Sequence, residues 1–166
     1  MAAIIVLTVF PILMIAAAVS DIGRLTIPNS VNLLLASLFL PCALMVQMPL
    51  EQLGDHALAG GIMLVVGFAL FLPNYIGGGD AKLIAAAALW LGLDTLLPFI
   101  FYTAMFGGLF SLMIVSFRQM PLPAILFGVL WVERLHKDGA PLPYGMAISA
   151  SGLIVFNQSA WISLIA

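Results

Sequence analysis

The first twenty residues of the chain, MAAIIVLTVFPILMIAAAVS, carry no charged side chain, and the same emptiness returns over residues 25–50, 57–79 and 139–166. Charge-free apolar runs of this length restrict the fold sharply. A helix needs about 20 mostly apolar residues, within about 17–25, to cross a bilayer, and in lipid the backbone must satisfy its own hydrogen bonds. Six stretches between polar or Gly/Pro punctuation meet or approach that requirement: residues 3–20, 30–48, 57–72, 81–93, 97–117 and 142–164. The fourth is short and Ala-rich. Composition agrees, since 64% of the 166 residues are hydrophobic and 7% are charged, against about 25% charged in soluble domains. So few polar side chains cannot cover a water-facing surface. The expectation is an all-α, polytopic membrane protein with about six transmembrane helices. It forms one integral-membrane domain over residues 1–166, with no separate soluble domain and with membrane lipid as its surroundings.

The net charge of −2 is small and dispersed, which argues against nucleic acid as a partner. The lone Cys42 lies in an apolar run and offers neither a disulfide framework nor a Cys-rich metal site. The leading segment has the apolar core of a secretory signal but no positively charged start, and is read as a retained first helix. In a six-helix frame the five bases divide cleanly. Arg24 falls between the first and second helices, Lys82 at the start of the fourth, and Arg118, Arg134 and Lys137 between the fifth and sixth. The opposite loops hold Glu51, Asp55 and Asp94. Cytoplasmic loops collect Lys and Arg, so both termini are expected outside and the odd-numbered loops in the cytoplasm of an inner-membrane protein. Between helices five and six, the apolar run over residues 125–132 is too short to span, and Glu133, Arg134, His136 and Lys137 follow it. It is expected to form an interfacial helix on the cytoplasmic side.

Ionisable groups are costly inside a span and mark functional candidates unless water reaches them. Asp21 is expected just after the first helix and Asp80 just before the fourth, both at the cytoplasmic boundary. Read without further context, they are interfacial charges, with Asp80 capping a helix N-terminus. Three stretches shift the balance. In DIGRLTIPNSVNL, Asp21 precedes Arg24, Pro28 and Asn29; in YIGGGDAKL, Gly77, Gly78 and Gly79 precede Asp80 and Lys82; in PLPYGMAISASG, Pro143, Tyr144 and Gly145 open the last helix. Glycines beside an acid admit close approach of a second backbone.

Together these stretches resemble the type IV prepilin peptidases, which belong to the GxGD class of intramembrane aspartyl proteases. Gly77-Gly78-Gly79-Asp80 is similar to the GxGD signature, Asp21 to the first family aspartate, Ile27-Pro28-Asn29 to the pattern downstream of it, and Pro143-Tyr144-Gly145 to the late motif. Larger members carry a cytoplasmic insertion with paired cysteines, and many methylate the mature pilin. This chain passes from helix one to helix two in about ten residues and has no CxxC, so it resembles the short branch that serves Flp-type (tight-adherence) pili. The resemblance implies removal of a leader peptide from a prepilin or pseudopilin at the cytoplasmic membrane face, alongside pilus-assembly machinery.

Asp21 and Asp80 are then the catalytic pair, one drawing a proton from water while the other polarises the scissile carbonyl. Two close carboxylates cannot both ionise cheaply. The chemistry calls for no metal, cofactor or covalent intermediate. Lys82 and Arg24 each admit three readings, electrostatic bias of the pair, contact with anionic lipid or simple anchoring of a helix, and lipid anchoring is preferred for both. His56 and His136 fall on opposite membrane sides and cannot share a metal. Trp90, Trp131 and Trp161 are placed near segment ends, as in an aromatic belt. Two other classes remain in competition: a proton-coupled transporter or channel using the acids as relays, and a non-catalytic assembly factor.

Overall fold

The protein is described here by a computed structural model covering residues 2–165. The described residues form eight α-helices and no strand: α1 Ala2–Arg24, α2 Asn29–Met45, α3 Leu50–Phe71, α4 Gly78–Leu91, α5 Leu96–Gln119, α6 Leu130–His136, α7 Tyr144–Phe156 and α8 Ala160–Ile165. Each of the six apolar stretches folds as helix. Four segments are long and apolar enough to cross a membrane: Ile4–Arg24, Leu50–Phe71, Leu96–Gln119 and Tyr144–Leu164. The last is interrupted where Ser159 turns its hydroxyl onto the Phe156 carbonyl. α2 has 17 residues and α4 only 14, so α4 is about 21 Å long at 1.5 Å per residue, short of a hydrocarbon core of about 30 Å.

α4 is the axis of the bundle. Ala81, Leu83, Ala85, Ala86, Ala87, Ala88, Trp90 and Leu91 are all buried, so apolar residues run round the whole helix, as a central position requires. Its alanines let neighbours approach. A Cβ on Gly60 of α3 would stand 2.9 Å from Leu89 Cβ, and one on Gly67 would stand 3.0 Å from the Ala81 carbonyl oxygen. Small residues at matching positions are how helices pack closely without a hydrophobic drive from solvent. α2 and α7 cover further sides of α4, α1 packs on α2 and α7, and α5 packs on α7.

Along α1, Val6, Phe10, Met14, Ala17 and Asp21 are buried, a 3.6-residue stripe facing inward. Ile4, Ile12, Ile15 and Val19 on its other side are exposed, as are Phe101, Leu109, Leu112 and Met113 on α5. An apolar exterior this extensive belongs in lipid, since water-soluble proteins avoid contiguous patches of such size. Away from the acids, the core is aromatic. Trp90 and Trp161 are fully buried and stacked with centroids 5.0 Å apart. Trp161 Nε1 donates to the Trp90 carbonyl at 2.5 Å and Trp90 Nε1 to the Leu35 carbonyl at 2.7 Å. The aromatic-belt expectation is therefore wrong for these two: each indole N–H finds a main-chain carbonyl inside the protein and needs no headgroup region. Trp131 is exposed.

Between α5 and α7 the chain forms a 3₁₀ turn, Ala124–Leu126, and the short α6. Arg118, at the end of α5, gathers this segment by donating to the carbonyls of Leu135 at 2.7 Å and Ala140 at 3.0 Å.

Candidate active site

Three helix ends meet at the two acids. Asp21 does not follow α1 but lies inside its last turn, and Asp80 does not precede α4 but occupies its third residue. Both helices run further than the apolar residues alone indicate, because tertiary neighbours accept the acids. Asp21 continues the inward stripe of α1, and Asp80 turns its carboxylate back toward Gly77, the N-cap of α4. The main-chain N–H groups of Gly145 and Met146, in the first turn of α7, face the Asp21 carboxylate. Those of Gly77 and Gly145 face the Asp80 carboxylate. Gly145 is thus common to both acids, which lie within Coulombic reach of each other. The N-termini of α4 and α7 carry unpaired N–H groups and the positive end of the helix dipole, a setting that favours anionic groups.

The two acids differ in exposure. Asp21 is 4% exposed and its Oδ2 completes no hydrogen bond, whereas Asp80 is half-buried. The pair therefore has an inner member with a spare acceptor and an outer member that solvent reaches.

The glycines are explained by what a methyl group would strike. On Gly145 it would stand 2.6 Å from Ile27 Cδ1, 2.8 Å from Asp21 Oδ2 and 3.0 Å from Asp21 Cγ. On Gly77 it would meet Asp80 Oδ2 at 2.9 Å, and on Gly78 the Phe71 ring at 3.3 Å. On Gly79 it would meet Ile27 Cβ at 3.3 Å. The backbone beside Gly79 is thus approached by the α1–α2 loop of the same chain. Pro28 and Pro143 are the N-caps of α2 and α7, each starting a helix next to an acid. Tyr144 packs its ring on Gly107 and its hydroxyl lies 3.5 Å from Ser111 Oγ.

Lys82 does not point freely outward. Its Nζ donates to Asn29 Oδ1 at 2.9 Å, and Asn32 Nδ2 donates to the Gly79 carbonyl at 3.2 Å. These two bonds clasp the start of α2 to the start of α4. Sequence reasoning passed over Asn32 and named Ile27 only within the Ile27-Pro28-Asn29 pattern, with no role of its own. The available signal for Asn32 was its place one helical turn after Asn29, on the same face. Beside the clasp, an apolar groove of about 810 Å³ runs between α2 and α3 over the floor of α4, with Asn29, Ser30, Asn32 and Lys82 at its polar end. Among the described residues, no group of three His, Cys, Asp or Glu side chains gathers as a metal site.

Comparison with known proteins gives this arrangement a context. The pattern of the type IV leader peptidase family matches residues 8–112, a span that includes both Asp21 and Asp80. The chain belongs to that family. It is also 31% identical over 150 residues to a prepilin leader peptidase/N-methyltransferase of Bacillus subtilis, covering 89% of this chain and 53% of the relative. The chain thus spans about half the length of that relative. No solved structure matches. The late Pro143-Tyr144-Gly145 motif lies beyond the matched family span, yet it supplies the backbone that faces both acids.

Proposed function

We propose that this protein is an intramembrane aspartyl endopeptidase that removes the leader peptide from type IV prepilins of the Flp type, at the cytoplasmic face of the inner membrane. The observation that carries the reading is the meeting of Asp21, in the last turn of α1, and Asp80, in the first turn of α4, beside Gly145 at the start of α7. Family membership supports the substrate class. In the proposed reaction one carboxylate removes a proton from water as the water oxygen attacks the scissile carbonyl carbon. The protonated partner gives its proton to the carbonyl oxygen. Collapse of the tetrahedral diol breaks the C–N bond, and the departing amine takes up a proton from the pair. The acids act as one titrating unit, so acid and base are not assigned to individual residues.

Gly77, Gly78 and Gly79 keep the rim of Asp80 low, and Asn29, Lys82 and Pro28 hold the α1–α2 loop against it. Pro143, Tyr144 and Gly145 present the shared N–H. The apolar groove over α4 receives the hydrophobic helix of the prepilin, which brings the bond before that helix to the acids. α6 lies at the cytoplasmic interface, tied by Arg134 to the end of α1 that bears Asp21.

Co-expression with an epitope-tagged Flp-type prepilin tests the reading. Leader removal appears as a faster-migrating band that is absent without the enzyme. A prepilin that stays full-length beside abundant, inserted protein overturns the peptidase assignment. Proton flux in proteoliposomes carrying the protein would favour the transporter instead.

A further inference from the structure

A second groove, of about 780 Å³, lies on the outside of the bundle between α1, α2 and α6. Its long wall is the exposed apolar side of α1, with Ile12, Ile15, Ala16 and Val19, and its mouth carries Arg24, Arg134 and Trp131. No carboxylate lines it. Both arginines are exposed. Arg134 uses one N–H, from Nη1 to the Gly23 carbonyl at 3.2 Å, which leaves most of its five donors free. The other bases of the site region are occupied differently. Lys82 is bonded to Asn29 and Arg118 to two carbonyls. Two guanidinium groups with spare donors therefore stand at the head of an apolar trough, beside an amphipathic indole.

We propose that this groove binds one anionic phospholipid, its phosphodiester held between Arg24 and Arg134 and an acyl chain laid along α1. Charge complementarity selects an anion, since guanidinium forks suit phosphate oxygens and nothing acidic offsets them. The apolar wall selects a lipid over a free phosphate. Trp131 matches the headgroup level, where amphipathic rings settle. The contact has a structural consequence. Arg134 already ties α6 to Gly23, two residues beyond Asp21, so a phosphate bridging both arginines fastens α6 to the end of α1 that bears Asp21. Lipid composition would thereby act on the rigidity of this corner. The proposal does not depend on the peptidase reading.

Native mass spectrometry of the detergent-purified protein, incubated with phosphatidylglycerol or phosphatidylcholine of equal chain length, tests it. One retained phosphatidylglycerol per chain is expected, and much weaker retention of phosphatidylcholine. Arg24→Gln with Arg134→Gln should weaken the retained lipid about 30-fold, as the loss of two basic contacts near an anionic headgroup implies. Ala16→Trp, which fills the trough from an exposed position and leaves both arginines intact, should weaken it as well. Lys137→Gln removes an exposed base outside the groove and should leave retention unchanged. Equal retention of the two lipids, unchanged retention in the double arginine variant or in Ala16→Trp, the same loss in Lys137→Gln, or binding of inorganic phosphate alone as tightly as the lipid would each overturn the site.

Discussion

Gly145→Ala is the smallest change that separates a catalytic pair from two unrelated interfacial acids. The added methyl would stand 2.8 Å from Asp21 Oδ2 and 3.0 Å from Asp21 Cγ, roughly 0.6 Å closer to the oxygen than ordinary contact allows. Ile27 Cδ1, at 2.6 Å, is the tip of a flexible side chain and can turn aside. The carboxylate cannot retreat so cheaply, because Asp21 is buried and closely packed against the first turn of α7. Overpacking of this kind costs about 1–3 kcal/mol, and replacing a helical glycine by alanine returns about 0.5–1 kcal/mol. The fold therefore survives with a modest loss. Activity should not, since displacing a reacting group by about 1 Å costs on the order of 100-fold. The assay is the initial rate of prepilin cleavage in detergent, with thermal unfolding followed in parallel. Gly108→Ala is the control, as nothing lies within 4 Å of its Cβ position. A Gly145→Ala enzyme that cleaves at the wild-type rate would refute the shared role of Gly145.

Three further outcomes are expected. Gly79→Val should abolish cleavage through its clash with Ile27 at the α1–α2 loop, and Gly79→Ala, 3.3 Å from Ile27 Cβ, should keep a reduced rate; processing assays on inserted, abundant protein decide it. Trp161→Ala removes a fully buried ring and its bond to the Trp90 carbonyl, so unfolding in mixed micelles should show a loss of about 3–5 kcal/mol. A cysteine placed beside Arg118 should react with an impermeant thiol reagent only from the cytoplasm, and one beside Glu51 only from outside; the reverse pattern contradicts the proposed sidedness.

The helical content was legible because charge-free runs leave a chain few alternatives, and the two acids stood out because ionisable groups are so scarce. The boundaries were misplaced for the same reason. Counting apolar residues ends a helix at its first charge, whereas here α1 carries Asp21 inward and α4 begins two residues before Asp80. Trp90 and Trp161 misled because an indole with an N–H suits either an interface or a buried site with an accepting carbonyl, and only tertiary packing tells them apart. Glycine announces a close approach but not the neighbour. The sequence stretch around Gly79 spoke for a second backbone, and the folded chain fills that place with Ile27. Asn32 was overlooked because its partner, the Gly79 carbonyl, is distant in sequence.

The central claim is that Asp21 and Asp80 hydrolyse the leader as one unit. Single-turnover cleavage of a purified, lipid-reconstituted prepilin by Asp21→Asn, Asp80→Asn and the double variant tests it most directly. Each amide preserves shape while removing proton exchange, so each single variant should lose cleavage entirely, and the double should be no worse than either. Substantial cleavage by either single variant, with folding intact, would contradict the two-aspartate mechanism.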